Sequence, residues 1–427
     1  FYVYLETQSV VATSIISGIY MVALTITGVW FGGLVDRYPK RRVLIASGLV
    51  SLLIYVLGYA LYLAVPEAAF TRLTSGTLWA FAVLLLAGVI SGNIRSIALP
   101  TLITALVPED RRDRANGLAG TATGIAFVIT SAISGVLVGW SGMHGVLILA
   151  IAMMGATVLH LIALPIPETE TGQAVGTATR LDVRGTLTIL AAVPGLVGLI
   201  AFTTLNNLLG GVFMGLMDAY GLSLVSVQVW GFLWAFLSCG FIVGGLIIAR
   251  RGLGKNPLAT MFVANLVIWA VSSLFTIQPS IVLLTAGMAI YLCVVPFIEA
   301  AEHTIMQKVV PQERQGRAFG FAHSVESAAA PLTTLLIGPV AELLAIPFMT
   351  TGAGARLIGG WFGTGADRGM ALVFTLTGIV GLVVTLVAMN TRAYRLLSAC
   401  YAGTAVSRSR RGTLTAVDLR ACRARAA

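Results

Sequence analysis

The chain has 427 residues, 57% hydrophobic and only 10% charged, with a formal net charge of +10 and a mean hydropathy of +0.93. A water-soluble chain this long carries roughly a quarter charged residues, so the composition excludes a soluble globular protein and points to lipid as the main exterior solvent. The basic residues sit in short clusters between apolar runs rather than in one patch interleaved with aromatics, which excludes nucleic acid as their partner.

The opening FYVYLETQS (1–9) has no initiator Met, basic n-region or cleavage site, and Phe1–Glu6 is expected to be the outer end of a helix. Eleven mostly apolar stretches follow, at 10–34, 43–64, 77–106, 116–139, 143–165, 186–217, 226–249, 257–277, 280–308, 317–346 and 369–390. Each has about the 20 residues a bilayer span needs, and backbone in hydrocarbon must satisfy its polar groups within the segment. The expected fold class is therefore all-α, a polytopic helical bundle.

The first span closes in FGGLVDRYPKRRVL (31–44). Gly32 permits close helix approach, and Asp36, at a helix end beside Arg37, Lys40 and Arg41, can pair with a basic group or a helix N-terminus. The alternative is that these charges only enforce topology. Arg95, in SGNIRSIALP, is the one basic residue deep in a span; it could bind an anionic substrate group or pair with an acid such as Glu299. His160, in the sixth helix, reads as structural.

PIPETETGQAVGTATRLDVRG (165–185) is polar and Gly/Thr-rich, and reads as a linker between an N-terminal bundle (1–164) and a C-terminal one (186–391). In the second bundle, TTLNNLLGG (203–211) sets Asn206 and Asn207 before a Gly pair that weakens the helix. Trp230 and Trp234, at i,i+4, offer an aromatic face to a lipophilic ligand or mark the membrane interface. PFIEAAEHTIMQK (296–308) places Glu299, Glu302 and His303 within about one turn, Glu299 and His303 on one face. Such groups suit proton uptake and release at bilayer depth, or they lie near the cytoplasmic mouth and bind basic loop residues. His323 and Glu326 are expected at the cytoplasmic gate. The basic tail (392–427) reads as disordered or partly helical on the membrane surface. Cys239 and Cys293 lie in apolar runs and Cys400 and Cys422 in the tail; there is no disulfide framework, zinc spacing or nucleotide-binding loop, so no metal or cofactor is expected.

The two halves repeat. ALVPEDRRDRANGL (105–118) matches KVVPQERQGRAFGF (308–321) at an offset of 203, and GGL at 32–34 matches GGL at 244–246 at an offset of 212. The second copy, GGLIIARRGLGK, lacks the acid, so only Asp36 is expected to latch in that way. About 58 residues separate the start of the second half from Gly244 but only 31 precede Gly32, so about one helix is missing from the front of a six-plus-six architecture. Taking alternate loops as one side, 23 of the 27 basic residues fall together, and the opposite loops hold only Arg72, Arg356 and Arg368. The basic side, with the C-terminus, is expected to be cytoplasmic.

The 31–44 segment resembles the loop between the second and third helices of the major facilitator superfamily, G-x-L-a-D-r-x-G-r-[RK], with Gly32, Leu34, Asp36, Arg37, Lys40 and Arg41 in place and Pro39 for the usual glycine. The V-P-x-[DE]-R loops are similar to those of macrolide- and siderophore-type exporters in that superfamily. The resemblance implies two pseudo-symmetric six-helix bundles working by alternating access, with a latch at the cytoplasmic gate. It further implies proton-coupled efflux of a small lipophilic substrate by a monomer in the bacterial inner membrane. The fifth helix carries Gly124, Gly135 and Gly139 without the proline that proton-coupled exporters show there, whereas the eleventh reads Gly338-Pro339. The rival readings are a metabolite uniporter or symporter of the same fold and a non-transporting membrane sensor or enzyme; no nucleophile–base constellation supports the last.

Overall fold

The computed structural model describes residues 10–66, 69–70, 75–165 and 183–407. The expectations for Phe1–Glu6, Arg72, most of the linker and the tail beyond Ser407 lie outside these residues.

Every apolar stretch falls on helix. In chain order these are α1 (Val10–Arg37), α2 (Lys40–Ala64), α3 (Gly76–Gly92), α4 (Ile94–Leu106), α5 (Arg112–Ala163), α6 (Val183–Ala192), α7 (Leu196–Leu224), α8 (Val227–Arg251), α9 (Pro257–Leu274), α10 (Ile281–Val309) and α11 (Gln315–Val340). A π-helical turn at Ala341–Ala345 leads into short α12 (Ile346–Thr350), α13 (Ala353–Leu357) and α14 (Gly359–Phe362), then α15 (Ala366–Asn390) and α16 (Arg392–Ser407). Among the described residues, nine helices are long and apolar enough to cross a membrane.

Local chemistry sets the ends. Gly142, at φ 58, splits α5 where the sequence predicts two spans. Asn256 accepts the Ala259 N–H at 3.2 Å and is followed by Pro257, so α9 starts with a side-chain cap and a proline at its first position. Gly252, at φ 73, ends α8. The predicted span at 186–217 is displaced: Pro194 and Gly195, at φ 86, break the chain, and the long helix runs from Leu196 to Leu224.

The described helices group into two compact units. One comprises Phe1–Leu106, Ile129–Thr186 and Gln312–Ala328; the other comprises Val107–Val128, Leu187–Pro311 and Ala329–Ala427. Each unit thus holds, beside helices of one sequence half, the start of a helix from the other half. Aromatic rings core the second unit: Phe213 stacks on Phe374 at 5.1 Å, and Trp269, Tyr220 and Phe275 are buried around them. In the first, Phe70, Leu78, Phe81 and Leu147 form a smaller core. Large apolar side chains such as Val22, Leu53, Leu63, Leu159, Phe232 and Val282 are exposed on the helix exteriors, as lipid requires.

Candidate functional site

In the first unit α1 meets the start of α11 with almost no side chain between them. A Cβ on Gly32 would overlap the Gly316 carbonyl, and one on Gly28 would overlap the Ser324 hydroxyl. This bare approach delivers Asp36 to the N-terminus of α11, where backbone N–H groups have no intrahelical acceptor. Its Oδ1 accepts the Gly316 N–H at 2.6 Å and its Oδ2 the Arg317 N–H at 2.9 Å. The Arg317 guanidinium adds a 3.9 Å ion pair to a carboxylate whose side chain is only 6% exposed. Of the alternatives the sequence offers for Asp36, the helix N-terminus is the main partner and the basic group a secondary one.

The other motif residues do different work. Lys40 is buried within electrostatic reach of Asp36. Arg41 donates to the carbonyls of Leu161 and Ile162 at 3.2 and 2.6 Å, capping the end of α5. Arg37 is exposed and lies over the Tyr38 ring at 5.5 Å.

The second unit carries the corresponding contact with the acid on the opposite partner. Asp113, which aligns with Gly316 at the repeat offset, accepts the Leu253 N–H through Oδ2 at 2.8 Å. It sits against Gly252, where a Cβ would overlap that same oxygen. Gly245 meets Thr121, and Gly117 meets Ile248, as closely as Gly28 and Gly32 meet their partners in the first unit. The second GGL copy lacks an acid, yet the junction has one. Beside it Asn116 donates to Thr304 and Gln307, both at 2.9 Å, and Gln307 returns a bond at 3.2 Å, all buried. The buried Lys308 ammonium lies 3.5 Å from Glu109 and 3.8 Å over the Tyr401 ring of α16. Burial, with the Glu109 and Asp113 carboxylates, pushes the Tyr401 phenol up to about 12, so the ring faces that cation uncharged.

The residues expected to line a cavity are dispersed. Arg95 gives Nε to the Gly92 carbonyl at 3.1 Å and Nη2 to the Met154 sulfur at 3.7 Å. It fills the α3–α4 break rather than meeting a carboxylate, because the interruption at Asn93 frees a carbonyl beside it. That break also aims Asn93 at His323 Nε2, 3.0 Å away. Glu302 is buried and accepts from Thr203 of α7 at 3.3 Å; Glu299 is exposed and His303 half-buried on the same stretch of α10.

Asn206 accepts the Trp269 indole N–H at 2.7 Å, and Asn207 bonds the Thr203 carbonyl of its own helix at 3.2 Å. The Gly pair at 210–211 does not interrupt α7; Gly211 instead admits α11, whose Thr334 donates to the Gly211 carbonyl at 3.0 Å. Trp230 and Trp234 are brought together, rings 6.0 Å apart at 77°, on a residue the sequence reading leaves out, Asp218. The predicted span ended at 217, one residue short of it.

The sequence profile of the Major Facilitator Superfamily matches residues 2–334. Macrolide efflux protein A of Streptococcus pyogenes is 22% identical over 363 residues, 81% of this chain and 84% of that protein. Enterobactin exporter EntS of Escherichia coli O1:K1 / APEC is 22% identical over 338 residues, 78% and 76% of the two chains. The human organic anion transporter MFSD10 (TETRAN) shares the fold at a TM-score of 0.65 and 16% identity, over 88% of this chain and 83% of that one. A bacterial homologue of the iron transporter ferroportin, in its outward-facing state, shares it at 0.62 and 13%, over 88% and 90%.

Proposed function

The chain belongs to the Major Facilitator Superfamily, and from that premise we propose that it is a bacterial inner-membrane exporter of lipophilic small molecules, driven by proton exchange, with its C-terminus in the cytoplasm. As a member it is a multi-pass membrane transporter, not an enzyme. The observation that carries the alternating-access reading is the reciprocal pair of closures. Asp36 holds the start of α11, and Asp113 at the start of α5 holds the loop after α8. Both join elements of opposite sequence halves through backbone donors, so each is made or lost as whole helices move. Export as the direction is supported by the two relatives, an efflux protein and an exporter by name. The proton role rests on Glu299, Glu302 and His303 on α10.

The test is accumulation of a fluorescent lipophilic cation in cells expressing the protein, with and without a protonophore, and with Glu299→Gln alongside. Reduced accumulation that both treatments abolish is the expected result. Export that survives Glu299→Gln would remove the proton role from that residue. Transport that persists without a proton gradient would favour the uniporter of the same fold.

A further inference from the structure

Asp218 lies on α7 with both of its indole neighbours on α8. Its Oδ1 accepts the Trp230 Nε1–H at 3.0 Å and the Trp234 Nε1–H at 3.1 Å, so both of these bonds fall on one oxygen of the carboxylate. Among the described residues no basic side chain lies within ion-pair distance of Asp218, and the residue is exposed. It stands eight residues beyond the midpoint of α7, about 12 Å along the axis toward the helix end.

The two rings are held at fixed angles around this charge. Trp230 is buried and lies against Gly221, where a Cβ would overlap the indole. Trp234 is half-buried and stands edge-to-face to it, so a ligand can reach this ring. A staple between α7 and α8 needs only an acceptor, which a neutral amide also supplies, though with weaker bonds. The net negative charge beside two indoles does something an amide cannot. It attracts a cation, and indole is the aromatic surface to which an organic cation binds best. The same charge repels an anion and gives a neutral ligand no advantage.

We propose that Asp218, Trp230 and Trp234 form a binding subsite for an organic cation, a protonated or quaternary centre carried on a lipophilic body. The subsite names the cargo class for the export reading and rests on that reading only for why such a molecule arrives; binding itself is independent of transport.

The experiment is equilibrium binding to the purified full chain in lipid nanodiscs. The probes are tetraphenylphosphonium and the uncharged triphenylphosphine oxide, measured on wild type, Asp218→Asn and Trp234→Leu. Asparagine keeps an oxygen for both indole N–H groups, so the helix contact survives while the charge goes. The expected result is at least tenfold weaker tetraphenylphosphonium binding in Asp218→Asn with a melting temperature at most slightly lowered, weaker binding in Trp234→Leu, and no effect of Asp218→Asn on the neutral probe. Undiminished tetraphenylphosphonium binding by Asp218→Asn would overturn the proposal, as would equal losses for both probes. Either outcome leaves export to be judged by the accumulation assay, which can fail while this binding succeeds.

Discussion

Replacing Asp36 with Asn tests the closure between α1 and α11 directly, because the two amides that Asp36 receives can be read one by one. Both carboxylate oxygens are occupied, by the N–H groups of Gly316 and Arg317. Asparagine offers one oxygen and turns an NH2 toward the other donor, so one charge-assisted bond becomes neutral and the second becomes an orphaned N–H. Hydrogen bonds to charged groups contribute about 1.5–3 kcal/mol each, and a carboxylate at a helix N-terminus adds up to about 1 kcal/mol more. The Arg317 pair at 3.9 Å, with Arg317 itself 19% exposed, adds little. A loss of about 2–4 kcal/mol corresponds to roughly a 30- to 700-fold larger opening equilibrium. Amide hydrogen exchange of a peptide spanning 315–320 follows that equilibrium, so its protection should fall by that factor while the amides of α2 stay as protected as before. Unchanged exchange at 316 and 317 in Asp36→Asn would refute the argument that these bonds hold the junction.

The glycines give an internal control. Gly32→Ala should open the same junction at a cost of about 1–3 kcal/mol, because its Cβ meets the Gly316 backbone. Gly33→Ala, where nothing lies within 4 Å, should be neutral or stabilising by up to about 1 kcal/mol. Equal effects of the two in the exchange assay would sink the packing argument. Asp113→Ala strips the acceptor from the Leu253 N–H and should weaken that contact by about 1–3 kcal/mol, seen as faster exchange at Leu253. Arg368→Met should lower the melting temperature, by about 2–4 kcal/mol in stability, because the fully buried guanidinium is the donor to the carbonyls of Phe362, Thr276 and Ile277. Lysine cannot span those three acceptors, so Arg368→Lys should rescue little.

The sequence carried the helices and the first latch because both are written locally. An apolar run of spanning length admits one backbone solution in lipid, and GGLVD places a bare helix surface and an acid within five residues. What it hid was set by tertiary neighbours. Asp113 is not legible from the GGL copy, because the second junction carries its acid on the facing helix start. The signal was present in the repeat alignment, where Asp113 stands opposite Gly316. Asp218 fell outside because the apolar run at 186–193 was joined to the following helix, although Pro194-Gly195 marks the break. Arg95 reads as a cavity cation in any hydropathy scan. Only the interruption at Asn93 shows that a freed carbonyl at Gly92 was waiting for it. Arg368 was counted as one of three stray charges on the opposite side, and its role as a buried clamp on three carbonyls depends on loops distant in sequence.

The choice of backbone amides as latch acceptors' partners has a mechanical consequence. A side-chain ion pair can stretch, swap rotamers or pick up a neighbouring charge, so it loosens gradually as its helices separate. An amide at a helix N-terminus cannot follow its acceptor, because its direction is fixed by the helix that carries it. Asp36 packs directly on this approach, because a Cβ on Gly316 would meet its Oδ1. Movement of the α11 start by about one or two ångströms would therefore lengthen both bonds together. Asp113 accepts from the backbone amide of Leu253, which lies in the loop after α8 beside Gly252 at φ 73. Swapping the acid from one partner to the other keeps a carboxylate-to-amide contact while the sequence motif disappears. The feature that both junctions share is a glycine-thin contact ending in a carboxylate and a backbone amide, whichever helix supplies the acid.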